Sequence, residues 1–410
     1  MKYQDLFPVP IEWIQDADRS MAETVSTWAE QEVTSKRLEH KEDYKALLQP
    51  AMKKLFIDIG MQAMMLPEEM GGGGMGKPEV ATTVTSVLEQ VGAADTGVGF
   101  LLANNLALQY AVSVSPNRWE EPLKEAGKIL CGKNIALCSL VLPTYGSDTG
   151  EHERYYGLDY QASARKSDKG WVVNGGPARP QCCGATADVF AVVCDMGEGK
   201  PGMLLVPGDA KGLQKGEPFK KTGLAASVNA DITFKNVKVP VGAVVFQGVE
   251  ALRDTLSWYY LACAAACAGA LQTTHEILKE WGDTRVIKGK GQVFKENPLV
   301  ASLMGEIGGK MGTSRILTYN LARMLSRPDI YGSAGSGTLH VAAVSALKQV
   351  GHLAMEAMHH TMELMASAGY ATEWNLERYW RDVKTVQTYV FPETVAQTCM
   401  ARQYFNLQQL

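Results

Sequence analysis

Apolar residues recur at helical spacing from Asp16 to Glu32 and again from Tyr44 to Ile59, where Gly60 supplies a natural stop. The next stretch, MMLPEEMGGGGMG (Met64–Gly76), breaks the pattern, because proline and a run of glycines cannot sustain a helix. Helical spacing resumes over Pro78–Val91 and Gly97–Val112, and briefly over Leu123–Leu130. The period then changes to two. Ile135–Leu142 alternates, and Tyr160–Ala164, Gly170–Asn174, Val189–Cys194, Met203–Val206 and Asp231–Phe234 are short β-rich runs punctuated by Gly, Asp and Pro. From Gly248 the helical period returns in Ala251–Trp281, Pro298–Ser326 and Thr338–Ala368. Asp382–Arg402 follows, interrupted at Pro392. The pattern predicts an α+β chain in three parts: helical over 1–133, a small barrel-like β-domain over 134–245, and helical again over 246–410.

Composition changes this picture little. The 410 residues suffice for several cores. A net charge of −4 without any basic tract argues against a nucleic-acid surface. The opening MKYQDLFPVPIEW is too polar for a secretory leader, and the apolar run Leu261–Leu271 is too short to span a bilayer, so the expected location is cytoplasmic. Eight cysteines without a CxxC pair suggest buried free thiols. Only the neighbours Cys182 and Cys183 offer an alternative, a vicinal disulfide or a reactive thiol.

The strongest signal is the polar, aromatic and charged stretch Ala366–Tyr389. Its core SAGYATEWNLERYWRDVK (Ser367–Lys384) resembles the GGxGYTxExPLERLMRDAK of the flavin-dependent acyl-CoA dehydrogenase superfamily. Four further pieces match in the same order. They are LPEEMGGGG (Leu66–Gly74), LVLPTYGSD (Leu140–Asp148), GWVVNG with ATAD (Gly170–Gly175, Ala185–Asp188), and KTGLAAS with ITFKNVKVP (Lys221–Ser227, Ile232–Pro240). The resemblance spans the chain. It implies an N-terminal helical domain, a central β-barrel-like domain, a C-terminal four-helix bundle and a tetramer. It also implies FAD lying between sheet and bundle and partly across a subunit interface, an acyl-CoA thioester entering between helices, and an electron-transfer flavoprotein as acceptor. In such chemistry a carboxylate takes the α-proton while hydride leaves to the flavin.

Residue by residue the resemblance is uneven. Gly146 and Ser147 stand at the family's Gly-Ser beside flavin and CoA. The Thr-Glu pair facing the flavin ring is Val141-Leu142 here, after Leu140, so only backbone contacts are retained. The ring-stacking Trp becomes Arg179 or Pro180, and the Thr two residues on becomes Gln181 or Cys182. Arg285 stands where a guanidinium reaches the diphosphate of the neighbouring subunit's flavin, with Lys288 and Lys290 as substitutes. Glu363 takes the place of an ADP-binding Gln and suits a ribose hydroxyl better than a phosphate. The catalytic Glu position is Val390, which cannot accept a proton.

Three replacements for that base are open. Glu393 follows three residues on, beyond Pro392, and Tyr259 or Tyr260 occupies the alternative base position on the Ala-rich helix. The Asp and Arg that meet CoA on that helix in the family are absent here, the nearest acid being Asp254, several residues upstream. Two other patterns read as structural. Glu356-Ala-Met-His359 has metal-ligand spacing but no second ExxH to complete a site, and the Gly71–Gly74 run lacks the Lys-Ser/Thr of a phosphate loop. Two functions follow. One is an FAD enzyme acting on an atypical CoA thioester. The other is a non-catalytic subunit that completes the flavin pocket of a paralogous partner.

Overall fold

The computed structural model describes residues 2–36, 44–144, 159–390 and 392–407. The first part holds helices α1 (Tyr3–Leu6), α2 (Asp16–Trp28), α3 (Tyr44–Lys53), α4 (Ala81–Ala94), α5 (Thr96–Val114) and α6 (Glu121–Leu130). Strands follow: β1 (Cys138–Val141), β2 (Ala162–Ser167), β3 (Gly170–Ala178), β4 (Val189–Asp195), β5 (Pro201–Pro207), β6 (Leu213–Lys215), β7 (Ile232–Val239) and β8 (Val244–Gln247). The remainder is α7 (Val249–Thr284), α8 (Pro298–Leu325), the short α9 (Pro328–Tyr331), α10 (Gly337–Met365), α11 (Leu376–Tyr389) and α12 (Glu393–Tyr404). Helical N- and C-terminal domains therefore flank a central mixed sheet.

Most predicted elements appear within a few residues of their expected ends. Gly60 does end the α3 segment, with φ at 87°. Three expectations need correction. The two short strands β6 and β8 carried too few alternating residues to register in the pattern. The helix expected over Asp382–Arg402 is two, α11 and α12, and the first begins at Leu376 because LERYWR already has helical spacing. The most membrane-like helix among the described residues is α5 rather than Leu261–Leu271. It is long and apolar enough to cross a bilayer, but it is the buried core helix of this fold.

The sheet runs in the order β6-β7-β3-β2-β4-β5-β8. β1 lies parallel to the start of β4, and β2 meets β4 only at its far end, Ser163 opposite Asp195. β1 and β2 thus share one edge of β4. α7 packs against β5 and β8 and β1 packs against α5, while the 179–188 loop that links β3 to β4 reaches α7 through Gln181.

Helix α7 is the axis of the helical part, packing against α4, α5, α8 and α10. Close approach needs glycine here. A Cβ on Gly92 would lie 2.1 Å from Ala266 O, and one on Gly269 would lie 2.0 Å from Glu89 O. Sheet and bundle are fastened at α11. Arg378 Nη2 donates to Asp95 Oδ2 at 2.7 Å, and the other oxygen of Asp95 caps α5 through Val98 N at 2.7 Å. Asp382 Oδ1 accepts from Leu224 N at 2.5 Å, while Arg381 Nη1 donates to Thr222 O at 2.7 Å. Between them Gly223 rests against α11 so closely that a Cβ would lie 2.5 Å from Arg381 O. Burial, and then the nearby Asp95, pushes the Asp382 carboxyl up to about 7, against the pull of Arg378.

Candidate functional site

The end of β1 and the end of α11 meet at the 179–183 loop, which reaches α7 through Gln181. Leu140 and Val141 lie fully buried in β1, with Leu142 just after it. Leu140 O accepts from Gln181 N at 2.8 Å, and Leu142 O accepts from the Gln161 side chain at 2.6 Å. The loop is held from the other side by Tyr389, whose hydroxyl donates to Pro180 O at 2.6 Å, and by Asn229 at 2.8 Å to the same carbonyl. Cys182 turns away from the cleft, its thiol 3.4 Å from Cys138 O beneath β1. Arg179 is committed to Asp231 through two hydrogen bonds, at 2.8 and 2.9 Å, and its guanidinium lies 4.5 Å over the Phe219 ring. Gly146 and Ser147 lie outside the described residues.

The cleft itself is bridged. The Tyr259 hydroxyl, from α7, donates to Gln181 Oε1 at 3.1 Å. Behind that contact, aromatic rings fill the space between α5 and α7. Tyr259 lies 6.5 Å from Phe100, and Tyr110 stacks on Trp258 at 4.4 Å and 25°. Burial pushes the Tyr259 phenol far above its ordinary range, so it stays protonated and cannot serve as a base.

The other candidate bases fare differently. Val390 is buried at 5 % exposure at the end of α11. Glu393 opens α12, but its carboxylate lies 3.1 Å from Lys348 Nζ on α10 and so is held against that helix. Asp254 proves the more interesting acid. Tyr110 donates to both its oxygens at 3.1 Å, and burial pushes its carboxyl up to about 6. Its partner lies 144 residues away in the chain, so no local pattern could have shown the pairing.

Arg285 and Glu363 form a second, separate group. A rise of about 1.5 Å per residue puts Arg285 roughly 39 Å along α7 from Tyr259. A cluster of Ile277, Met362, Met365 and Leu376, with Trp281 and Trp374, joins this end of α7 to the end of α10. Arg285 is exposed and lies 5.5 Å over Trp281, with exposed Lys288 and Lys290 following it. Glu363 is exposed too, 3.3 Å from His359. Glu356 of the ExxH motif is taken up by Lys310 and His352, both at 3.4 Å. The Gly71–Gly74 backbone amides bond back to Glu68, Pro67, Ala63 and Leu66 and present no anion cradle.

The donor sets at the cleft and at the bundle end differ. In the cleft the Leu140 and Leu142 carbonyls are engaged within the chain, Arg179 is locked to Asp231, and Tyr259 touches Gln181. These groups meet one another across the cleft. At the bundle end an exposed guanidinium flanked by lysines does fit a diphosphate.

Comparison with known proteins agrees with the fold. The acyl-CoA dehydrogenase N-terminal domain model matches residues 15–114, and the C-terminal domain model matches residues 247–403. The chain is 23% identical to the mitochondrial short-chain specific acyl-CoA dehydrogenase of Rattus norvegicus over 386 residues, covering 92% of this chain and 87% of the relative. It is 26% identical to the cyclohex-1-ene-1-carbonyl-CoA dehydrogenase of Geobacter metallireducens, covering 85% of this chain and 87% of that one. A glutaryl-CoA dehydrogenase from Mycobacterium smegmatis, solved in complex with FADH2, superposes with a TM-score of 0.79 at 17% identity, covering 97% and 96% of the two chains. Two family models that match in register on either side of a mixed sheet, with the LERYWRDVK helix joining sheet to bundle, establish that this chain belongs to the acyl-CoA dehydrogenase superfamily.

Proposed function

We propose that this chain is a flavin-pocket-completing subunit of a heteromeric acyl-CoA dehydrogenase complex. The observation that carries the reading is the Tyr259–Gln181 hydrogen bond, which ties α7 to the loop where the resemblance expects the flavin-ring contacts. The buried Val390 at the usual base position is consistent with it. So is the exposed Arg285, too far along α7 to serve its own cleft and free to meet a diphosphate held by a neighbour. FAD is then the cofactor of the assembly, and the paralogous subunit supplies the carboxylate, the ring-facing hydroxyl and the acyl-CoA site. An electron-transfer flavoprotein would take the electrons from that subunit.

Purification alone and together with a paralogous subunit tests this. The chain alone should be colourless, and the mixed complex yellow and bleached by an acyl-CoA. A yellow chain that an acyl-CoA bleaches on its own would sink the proposal. Arg285→Met should leave the chain folded and weaken FAD retention in the mixed complex.

A second reading has one observation in its favour. Asp254, poised near neutrality beside Tyr110, is a carboxylate that can take a proton at physiological pH. In that reading the chain is itself an FAD-dependent oxidoreductase acting on an atypical CoA thioester, with Asp254 as the displaced base. Asp254→Asn separates the two. It should abolish activity in the second reading, where the wild-type rate rises with pH through about 6, and leave the mixed complex active in the first.

A further inference from the structure

We propose that the Tyr3–Phe7 segment is a strap laid across α7 and α8, and that a proton taken up by His275 beneath it lets the strap lift. The inference is independent of the function proposed above. The segment is the single helical turn α1 followed by Phe7, and its side chains meet the C-terminal bundle. Gln4 donates to Gln272 Oε1 at 3.2 Å, and Arg315 Nη1 donates to Phe7 O at 2.5 Å. Tyr3 is buried, with its ring centre 4.8 Å from that of Phe7 and 5.6 Å from that of His275. Phe7 meets His275 edge to face at 5.4 Å and 88°. Glycine in α8 leaves room for the strap, since a Cβ on Gly312 would lie 3.3 Å from the Phe7 ring.

The strap closes over a buried charge pair. Arg315 Nε donates to Glu89 Oε1 at 2.7 Å, and Tyr319 donates to Glu89 Oε2 at 2.8 Å. The two charged side chains are only 4% and 2% exposed. The Phe7 carbonyl takes a guanidinium N–H that Glu89 does not, so lifting the strap hands that N–H to water. The seat is also marginal. Tyr3 OH and His275 Nδ1 are both shut from water without a hydrogen-bond partner, and each unmet group costs docking energy. A single turn held by so few contacts opens well before the domain beneath it does.

His275 is where a proton acts on this balance. A neutral imidazole leaves one nitrogen without a hydrogen, and an unpartnered Nδ1 then wastes only an acceptor. Protonation puts a hydrogen on both nitrogens. The buried Nδ1 then carries an N–H and part of a positive charge with no acceptor in reach. The charged groups around the ring do not offset this. Lys279, one turn along α7, opposes the proton. Glu276 on α7, Arg315 on α8 and Glu89 on α4 all bear on the Tyr3 hydroxyl, and the last two are paired with each other. Asp5, on the strap itself, is exposed and bonds back to Lys2 N at 3.2 Å.

The sign of the effect follows. With the strap docked, burial and then Lys279 hold the imidazole below its ordinary range. With the strap lifted the ring stands in water and titrates near its ordinary value of about 6.5. Between those two values the docked state binds fewer protons. Docking is therefore strongest above the window and weakens as pH falls through it.

The test follows amide hydrogen exchange in the folded chain from pH 8 to pH 4, with labelling times scaled to the intrinsic rate. The Leu6 and Phe7 amides report on the strap, since they bond to Lys2 O and Tyr3 O within it. Their protection should fall about tenfold for each unit by which docking lowers the imidazole, while α4, α7 and α8 stay protected. His275→Gln should flatten the curve. A fall centred below about 4.5 would belong to the carboxylates Asp5 and Glu276 and overturn the proposal. So would protection that stays level or rises on acidification, because the Tyr3 and Phe7 rings would then be holding the imidazolium in place. The wild-type curve decides this whether or not the variant folds.

Discussion

Two contacts between the sheet and the C-terminal helices have gone opposite ways. At the α11 junction the family's pattern is intact, and each charged group has a partner. Arg378 meets Asp95, Asp382 meets Leu224 N, and Arg381 meets both Thr222 O and Glu377. At the cleft, one helix end away, Val390 is buried and Tyr259 meets Gln181 directly. The difference is one of coupling. A buried ion-pair network fails if one member is lost, because the others are left charged and dry. A catalytic carboxylate holds nothing together, so a valine can take its place without harming the fold.

The largest expected effect therefore comes from the junction. Arg378→Met would leave Asp95 and Asp382 buried side by side without their cation, and should cost about 3–5 kcal/mol in chemical denaturation. A loss under ~1 kcal/mol would mean that the junction does not set the domain arrangement. Next comes the converse experiment, Val390→Glu. It places a carboxyl where the resemblance expects one, in a buried position, and should cost about 1–3 kcal/mol. It should not create dehydrogenase activity in the isolated chain, because Tyr259 still meets Gln181. Activity gained from this single change would show that the cleft opens readily.

How much of this could be read in the sequence follows the same division. LERYWRDVK and the order of the other matching pieces pointed to the fold, because scaffold residues act through local helix geometry and through spacing that a linear pattern records. The Tyr259–Gln181 bridge was not visible, since it joins residues 78 apart through a side-chain reach that depends on how α7 packs on the sheet. The engagement of Glu393 with Lys348 was equally hidden. The pairing of Tyr110 with Asp254 turned an acid named only as the nearest one into the best alternative base. Strands β6 and β8 were missed because three or four residues give alternation too little length to show.

A smaller effect, and one with a definite sign, comes from Asp382. The folded chain holds its proton up to about pH 7, whereas the unfolded chain releases it near pH 3.9. Between those values the folded state binds more protons, so this group's contribution is present in full at the acid end and is lost as pH rises toward and through 7. Urea midpoints of the wild type should fall between pH 5 and pH 8 relative to those of Asp382→Asn, whose amide oxygen can still accept from Leu224 N. Parallel curves for the two proteins would mean that Asp382 is ionised throughout.

The smallest effect tests the cleft most directly. Tyr259→Phe removes one hydroxyl and leaves the ring in its packing, so the loss should be about 1 kcal/mol, the ordinary net worth of a hydrogen bond. That number alone does not identify the partner. Combining it with Gln181→Ala does, because a double-mutant cycle isolates the term the two residues share. A coupling near the full single-mutant loss means that Tyr259 and Gln181 meet in solution and the slot is shut. A coupling near zero means that water stands between them and the slot is open. A ring and a thioester could then enter, and the balance would shift from the pocket-completing subunit toward an enzyme working through Asp254.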